Sequence, residues 1–121
     1  MVRTAADRLM LIGGEMVAAD NGQWLVSTDP ATEEPTGRVP AATATDVARA
    51  VGAAHAAQRA WAELSVWERA AKLRSLAAGI RARGSEILEL EARDTGNTIG
   101  KLPADIQIAA GYLDYFAGLG S

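Results

Sequence analysis

Residues 27–40 read STDPATEEPTGRVP, and three of the chain's four prolines fall inside them. Proline fixes φ, removes a backbone donor and disfavours helix at the residue before it. Asp29, Glu34 and Val39 are thereby pushed towards extended geometry, yet the stretch runs straight into ATATDVARAVGAAHAA, whose composition is helical. An arm of this kind is either held against something or disordered by default, and the remaining elements must decide which.

Ahead of the arm, LMLI at residues 9–12 is closed by Gly13-Gly14, and EMVAA leads through Asp20-Asn21-Gly22 into QWLVST. Asn-Gly between apolar runs is a strong hairpin signal, because both residues accept positive φ. The pattern predicts a β-hairpin over residues 9–28, with Trp24 and Val26 on one side, and an extended arm over 29–42. An isolated hairpin is marginal in water, so its apolar face must rest on something else.

Residues 43–118 read as about four α-helices. Thr43 with Asp46 resembles a capping box and opens a run with Val47, Val51, Ala54, Gln58 and Trp61 or Ala62 at helical spacing. Ser65-x-x-Glu68 is a second box, ahead of Ala70, Leu73, Leu76, Ala77 and Ile80 and a stop at Gly84. Ser85 re-caps a shorter helix through Ile87, Leu88 and Leu90, which Gly96 ends. Pro103 fits the first turn of a last helix that turns Ile106, Ala109, Ala110, Leu113 and Phe116 inward and ends at Gly118. With 49% hydrophobic but only 5% aromatic residues, the core is expected to be Ala, Leu, Val and Ile between close helices. At 121 residues the chain is one domain at most. It lacks strands enough for a sheet, so hairpin and arm have little of their own to pack against.

The absence of cysteine excludes disulfides, thiolate metal sites and a cysteine nucleophile within these residues. A net charge of −3 with interspersed signs gives no basic stripe for nucleic acid. MVRTAADRLMLIGGE has no long apolar run, so neither a signal peptide nor a membrane span is predicted, and the chain reads as cytoplasmic. Gly118 and Gly120 form a G-x-G, but a helix precedes them where a phosphate loop needs a strand, so a helix end is the better reading. His55 is the sole histidine and has no partner residues for a metal or a triad, which leaves packing or surface. Glu86, Glu89 and Glu91 with Arg81, Arg83 and Arg93 read as a solvated, ion-paired face. Arg69 reads as a structural partner for a carboxylate.

In order along the chain, Gly13-Gly14-Glu15, Pro30-Ala31-Thr32, Val39-Pro40-Ala41, Asp46-Val47, Ala50-Val51, Ala60-Trp61, Glu68-Arg69, Leu73, Asp94 and Gly96 resemble the landmarks of the N-terminal segment of an aldehyde dehydrogenase. The likeness runs over residues 9–118. It implies an α/β fold with a Rossmann-type cofactor domain, of which residues 1–121 form the N-terminal part. In that family the arm crosses the cofactor domain, which explains why it is pinned: prolines reduce the entropy lost on ordering. The implied activity is NAD(P)-dependent oxidation of an aldehyde to a carboxylic acid through a cysteine thioester. The family's cysteine, glutamate base, oxyanion asparagine and dinucleotide turn find no counterpart here. NAD or NADP is therefore expected only in the full-length enzyme, and the chain alone is expected to be inactive and to bind neither.

The implied partners are the remainder of the polypeptide and further copies of the enzyme in a homo-oligomer. Some members hold an alkali cation through positions that match the backbone carbonyls of Ser27 and Thr28 and the carboxylate of Asp94, and the competing reading of Asp94 is a helix-terminal polar residue. The last helix borders the aldehyde channel, where Ile108 and Tyr112 would face a small apolar or aromatic aldehyde, unless both are simply core. After Gly96 the family commonly has Lys-Pro, whereas Asn97 and Thr98 follow here, so that loop departs from the pattern. A different class stays open beside the enzyme reading: a non-catalytic helical interaction module derived from such a protein.

Overall fold

The computed structural model describes residues 6–119, which fall into two compact units, the first ending at Arg59 and the second beginning at Ala60. The first holds β1 (Ala6–Asp7), β2 (Met10–Ile12), β3 (Glu15–Val17), β4 (Trp24–Thr28) and β5 (Pro35–Pro40), followed by the start of α1 (Ala44–Glu63). The second holds α2 (Val66–Ala82), α3 (Gly84–Thr95) and α4 (Leu102–Gly118). Extended segments followed by four helices keep the predicted order, but the strands expected to be too few for a sheet form a three-stranded one, because part of the arm is itself a strand.

The pairing of the strands differs from the single hairpin expected over residues 9–28. Gly13 and Gly14, at φ 62° and 88°, close β2 onto β3 with Ile12 opposite Glu15. A two-residue turn of this hand needs positive φ at both positions, which glycine adopts without strain. Asn21-Gly22 also turns the chain, with the Gln23 N–H donating to the Asn21 side chain at 2.9 Å, but it leads from one sheet into another. β4 pairs antiparallel with β5, and β1 lies parallel to β5 on its other side. The second half of the arm is therefore a strand, with prolines at its first and last positions, where a missing donor disturbs a ladder least. Between β4 and β5, the Ala31 N–H donates to the Asp29 carboxylate at 2.9 Å and Glu33 sits at φ 61°.

Arg38 on β5 fastens β1 to the sheet through two parallel hydrogen bonds to Asp7, at 2.9 and 2.6 Å, while its guanidinium lies 5.1 Å from the centre of the Trp24 ring. The hydrogen bond, more than the charge, lowers the Asp7 pKa and raises that of Arg38. Leu25 and Val26, on opposite faces of β4, both stay exposed, so apolar groups on either side of this strand lack cover among the described residues.

The box at the start of α1 forms as predicted: the Asp46 N–H donates to the Thr43 hydroxyl oxygen at 3.2 Å and the Thr43 N–H to Asp46 Oδ2 at 2.9 Å. The apolar face assigned to this helix is not a core face here. Val47, Val51, Ala54, Gln58, Trp61 and Ala62 are all exposed, and Asp46 alone is buried. Periodicity locates an amphipathic face but not its partner.

In the second unit the Ser65 box is complete, with the Glu68 N–H donating to Ser65 Oγ at 3.2 Å and the Ser65 N–H to Glu68 Oε2 at 2.8 Å. The Ser65 side-chain hydrogen bond, then the backbone one, holds the Glu68 carboxyl below its usual range. α2 and α4 pack on each other, and the buried residues are Ala70 and Ala77 on α2 and Leu102, Ile106, Ala110 and Ala117 on α4. Leu76, Ala109 and Phe116, predicted to face inward, are exposed instead. Ser85 is no cap: Arg83 alone separates α2 from α3, so Ser85 already lies inside the helix. Gly96, at φ 69°, ends α3 in the left-handed conformation, and Pro103 stands in the first turn of α4, both as predicted.

Candidate functional site

α4 has two faces. Leu102, Ile106, Ala110 and Ala117 are buried, whereas Ile108, Tyr112, Tyr115 and Leu119, at successive spacings of four, three and four, are each more than half exposed. Phe116 joins this outer stripe, with its ring edge-on to Tyr115 at 5.4 Å between centroids. Contiguous apolar and aromatic surface on one helix face marks a ligand groove or an interaction surface. Ile108 and Tyr112, the predicted channel residues, lie on the stripe, and packing among the described residues does not account for them.

Of the carboxylates of α4, Asp114 points elsewhere, whereas Asp105, three residues before Ile108, stands at the N-terminal end of the same face. Asp105 lies 3.9 Å from Lys101 Nζ, and Asp114 accepts a hydrogen bond from Arg81 Nη2 on α2 at 2.8 Å. Arg81 Nε also donates to Gln107 Oε1 at 3.3 Å. From Ile108 onward the outer stripe is thus apolar with phenolic hydroxyls, with Asp105 and Lys101 at its N-terminal end and Asp114 drawn away to α2.

Ser27 and Thr28 end β4 in the first unit, where the register slips between Gly37 and Pro35, and Asp94 lies exposed in the last turn of α3 in the second. Among the described residues there is no group of three His, Cys, Asp or Glu side chains placed to hold a metal ion. Nor does any described strand run through a glycine turn into a helix, the arrangement that cradles a dinucleotide's phosphates. Gly13-Gly14 joins antiparallel strands, Gly118 ends α4, and Gly120 lies outside the described residues. No residue here is assigned to NAD or NADP.

His55 is exposed on α1. Arg83 pairs with Glu86 at 2.8 Å, as the solvated-face reading predicts, but Arg81 reaches across to α4 instead of along its own helix. Arg69 donates to the Leu64 backbone carbonyl, not to the carboxylate expected for it. Tyr115 and Leu119 extend the stripe beyond the residues singled out in the sequence, although their helical spacing could have revealed them. The Arg81–Asp114 pair and the hydrogen bond from the Asp20 N–H to Asp46 had no such signal, because their partners are 33 and 26 residues apart. Among the described residues no helix is long and apolar enough to cross a membrane.

Residues 16–121 match the family described as the aldehyde dehydrogenase family. Among solved structures, the chain is similar to an NAD-dependent aldehyde dehydrogenase from Sinorhizobium meliloti, with 32% identity and a TM-score of 0.91 over 96% of this chain and 24% of that one. It is similar to lactaldehyde dehydrogenase from Escherichia coli, with 33% identity and a TM-score of 0.92 over 97% of this chain and 24% of that one. An NADP-dependent enzyme of E. coli matches with 29% identity and a TM-score of 0.90, over 93% and 23% of the two chains. The chain therefore spans about a quarter of the length of these structures, and the fold it adopts is aldehyde dehydrogenase-like. On the family match over most of its length and on this structural likeness, the chain belongs to the aldehyde dehydrogenase family.

Proposed function

We propose that this chain is the N-terminal part of the cofactor-binding domain of an NAD(P)-dependent aldehyde dehydrogenase that oxidises a small apolar or aromatic aldehyde to its carboxylic acid. The observation that carries this reading is the likeness to NAD-dependent aldehyde dehydrogenase over 96% of this chain but only 24% of the relative. In such an enzyme a cysteine thiolate adds to the aldehyde, a hydride passes to the dinucleotide and water releases the acid from a thioester. This chain has no cysteine, and no described strand runs through a glycine turn into a helix. On this reading the nucleophile and the dinucleotide turn therefore belong to the remainder of the polypeptide, and the segment alone is taken to be inactive and to bind no cofactor.

The contribution of these residues is to build one wall of the substrate channel. The outer face of α4 presents Ile108 and Tyr112 to the aldehyde, and the apolar character of the stripe favours an uncharged substrate. The enzyme works in the cytoplasm as a homo-oligomer.

Aldehyde-dependent reduction of NAD or NADP by the full reading frame, followed by NADH or NADPH absorbance, tests the reading. The expected result is activity with the full product, and neither activity nor dinucleotide binding by residues 1–121 in isothermal titration. A full product that reduces neither dinucleotide with any aldehyde, yet binds a protein partner through these helices, would favour the interaction module instead.

A further inference from the structure

We propose that Arg81 is a positioning residue for substrate selection, acting through the orientation of α4; this rests on the reading of Ile108 and Tyr112 as channel residues. Both buried residues of α2 are alanines, and the later half of α4 meets the interior with Ala110 and Ala117. Alanines let helices approach closely but interdigitate little, so packing alone specifies the rotation of α4 weakly. Arg81, in the last turn of α2, supplies what the packing lacks. Its Nε donates to Gln107 Oε1 at 3.3 Å and its Nη2 to Asp114 Oδ2 at 2.8 Å.

Gln107 and Asp114 lie two helical turns apart on one face of α4. A planar guanidinium bonded to both therefore holds the helix about its axis and along it. Ile108 follows Gln107 by about 100° around the helix, so any rotation that breaks the clamp swings Ile108 and Tyr112 across the channel wall together. The Arg81–Asp114 pair is partly exposed on both sides, so it adds little to global stability while still choosing among close orientations of the helix. Selectivity and melting temperature should accordingly respond differently to its loss.

The experiment compares kcat/KM for benzaldehyde and for propanal in the full-length enzyme. Arg81→Met is expected to change the ratio by roughly three- to fivefold, chiefly through KM for the larger aldehyde, while Tm stays within about 2 °C of wild type. Asp114→Asn should shift the ratio the same way, and exchanging the charges with Arg81→Asp and Asp114→Arg together should recover most of it. An unmoved ratio in Arg81→Met, in an enzyme whose ratio does move in Ile108→Asp, overturns the clamp and leaves the channel reading standing. A ratio unmoved by Ile108→Asp overturns the channel reading and the clamp with it. A fall in kcat shared equally by both substrates, with a lowered Tm, would make Arg81 merely structural and also overturn the proposal.

Discussion

The backbone N–H of Asp20 donates to both carboxylate oxygens of Asp46, at 3.1 and 3.3 Å, which fastens the loop after β3 to the first turn of α1. The same carboxylate accepts from the Thr43 N–H at 2.9 Å and the Thr43 hydroxyl at 3.0 Å, and it is only 1% exposed. A buried carboxylate is tolerable when donors saturate it, and removing it leaves the donors unsatisfied. Asp46→Ala should therefore lower Tm by about 5 °C, read by thermal circular dichroism. An unchanged melting curve would mean that the loop and the helix start are held by something else.

Acid should reveal the same contact. The Asp46 carboxyl is held below its usual range, first by the Thr43 backbone hydrogen bond and then by that of Asp20. A pKa depressed in the folded state stabilises the fold above the unfolded value and loses that contribution as pH falls through the folded one. Wild-type stability should thus drop below about pH 4 more steeply than that of Asp46→Asn. Parallel acid limbs in urea titrations of the two proteins would contradict this.

Ala110 and Ala77 are both fully buried between α2 and α4, whereas Ala109 is exposed. Ala110→Leu should overpack this contact and cost about 1–3 kcal/mol, and Ala109→Leu in the isolated 121-residue chain should stay within about 0.5 kcal/mol of wild type. Equal effects at both positions would refute the face assigned to α4.

Amide exchange should separate the two kinds of structure in this chain. β4 leaves one edge unpaired among the described residues, and Leu25 and Val26 are exposed, while α2 and α4 bury their alanines against each other. In a dilute monomer the amides of α2 and α4 should outlast those of residues 9–40. Equal protection would mean that the strands are complete without further cover.

Ile108 offers the direct test of substrate charge. A carboxylate meeting a desolvated ammonium gains a charge-assisted hydrogen bond, which an alkyl group cannot supply. In the full-length enzyme Ile108→Asp should shift the kcat/KM ratio between an aminoaldehyde and an aromatic aldehyde of similar length by about tenfold or more towards the cation. Wild type should prefer the aromatic one, and the opposite preference would remove Ile108 from the channel.

Most signals whose cause and effect lie within a few residues form as read, although Ser85, a local cap candidate, does not. The boxes at Thr43 and Ser65 and the stop at Gly96 are closed by groups three or four positions away, and Pro103 at the start of α4 needs only its own fixed φ, so they form as their residues dictate. The family, too, was legible, because its landmarks are ordered along the chain. Tertiary structure alone decided which turn closes a hairpin: Gly13-Gly14 and Asn21-Gly22 are both competent turns, and β4 left the second one to pair with β5 because hydrogen bonding to a longer strand satisfies more of its backbone. It also decided which side of each helix is covered. Periodicity gave Val47, Val51 and Phe116 apolar company at the right spacing, but burial needs a partner surface, and none of the described residues supplies one for those side chains. Arg81 found Asp114 for the converse reason, since packing α2 on α4 brings together charges that sit 33 positions apart in the chain.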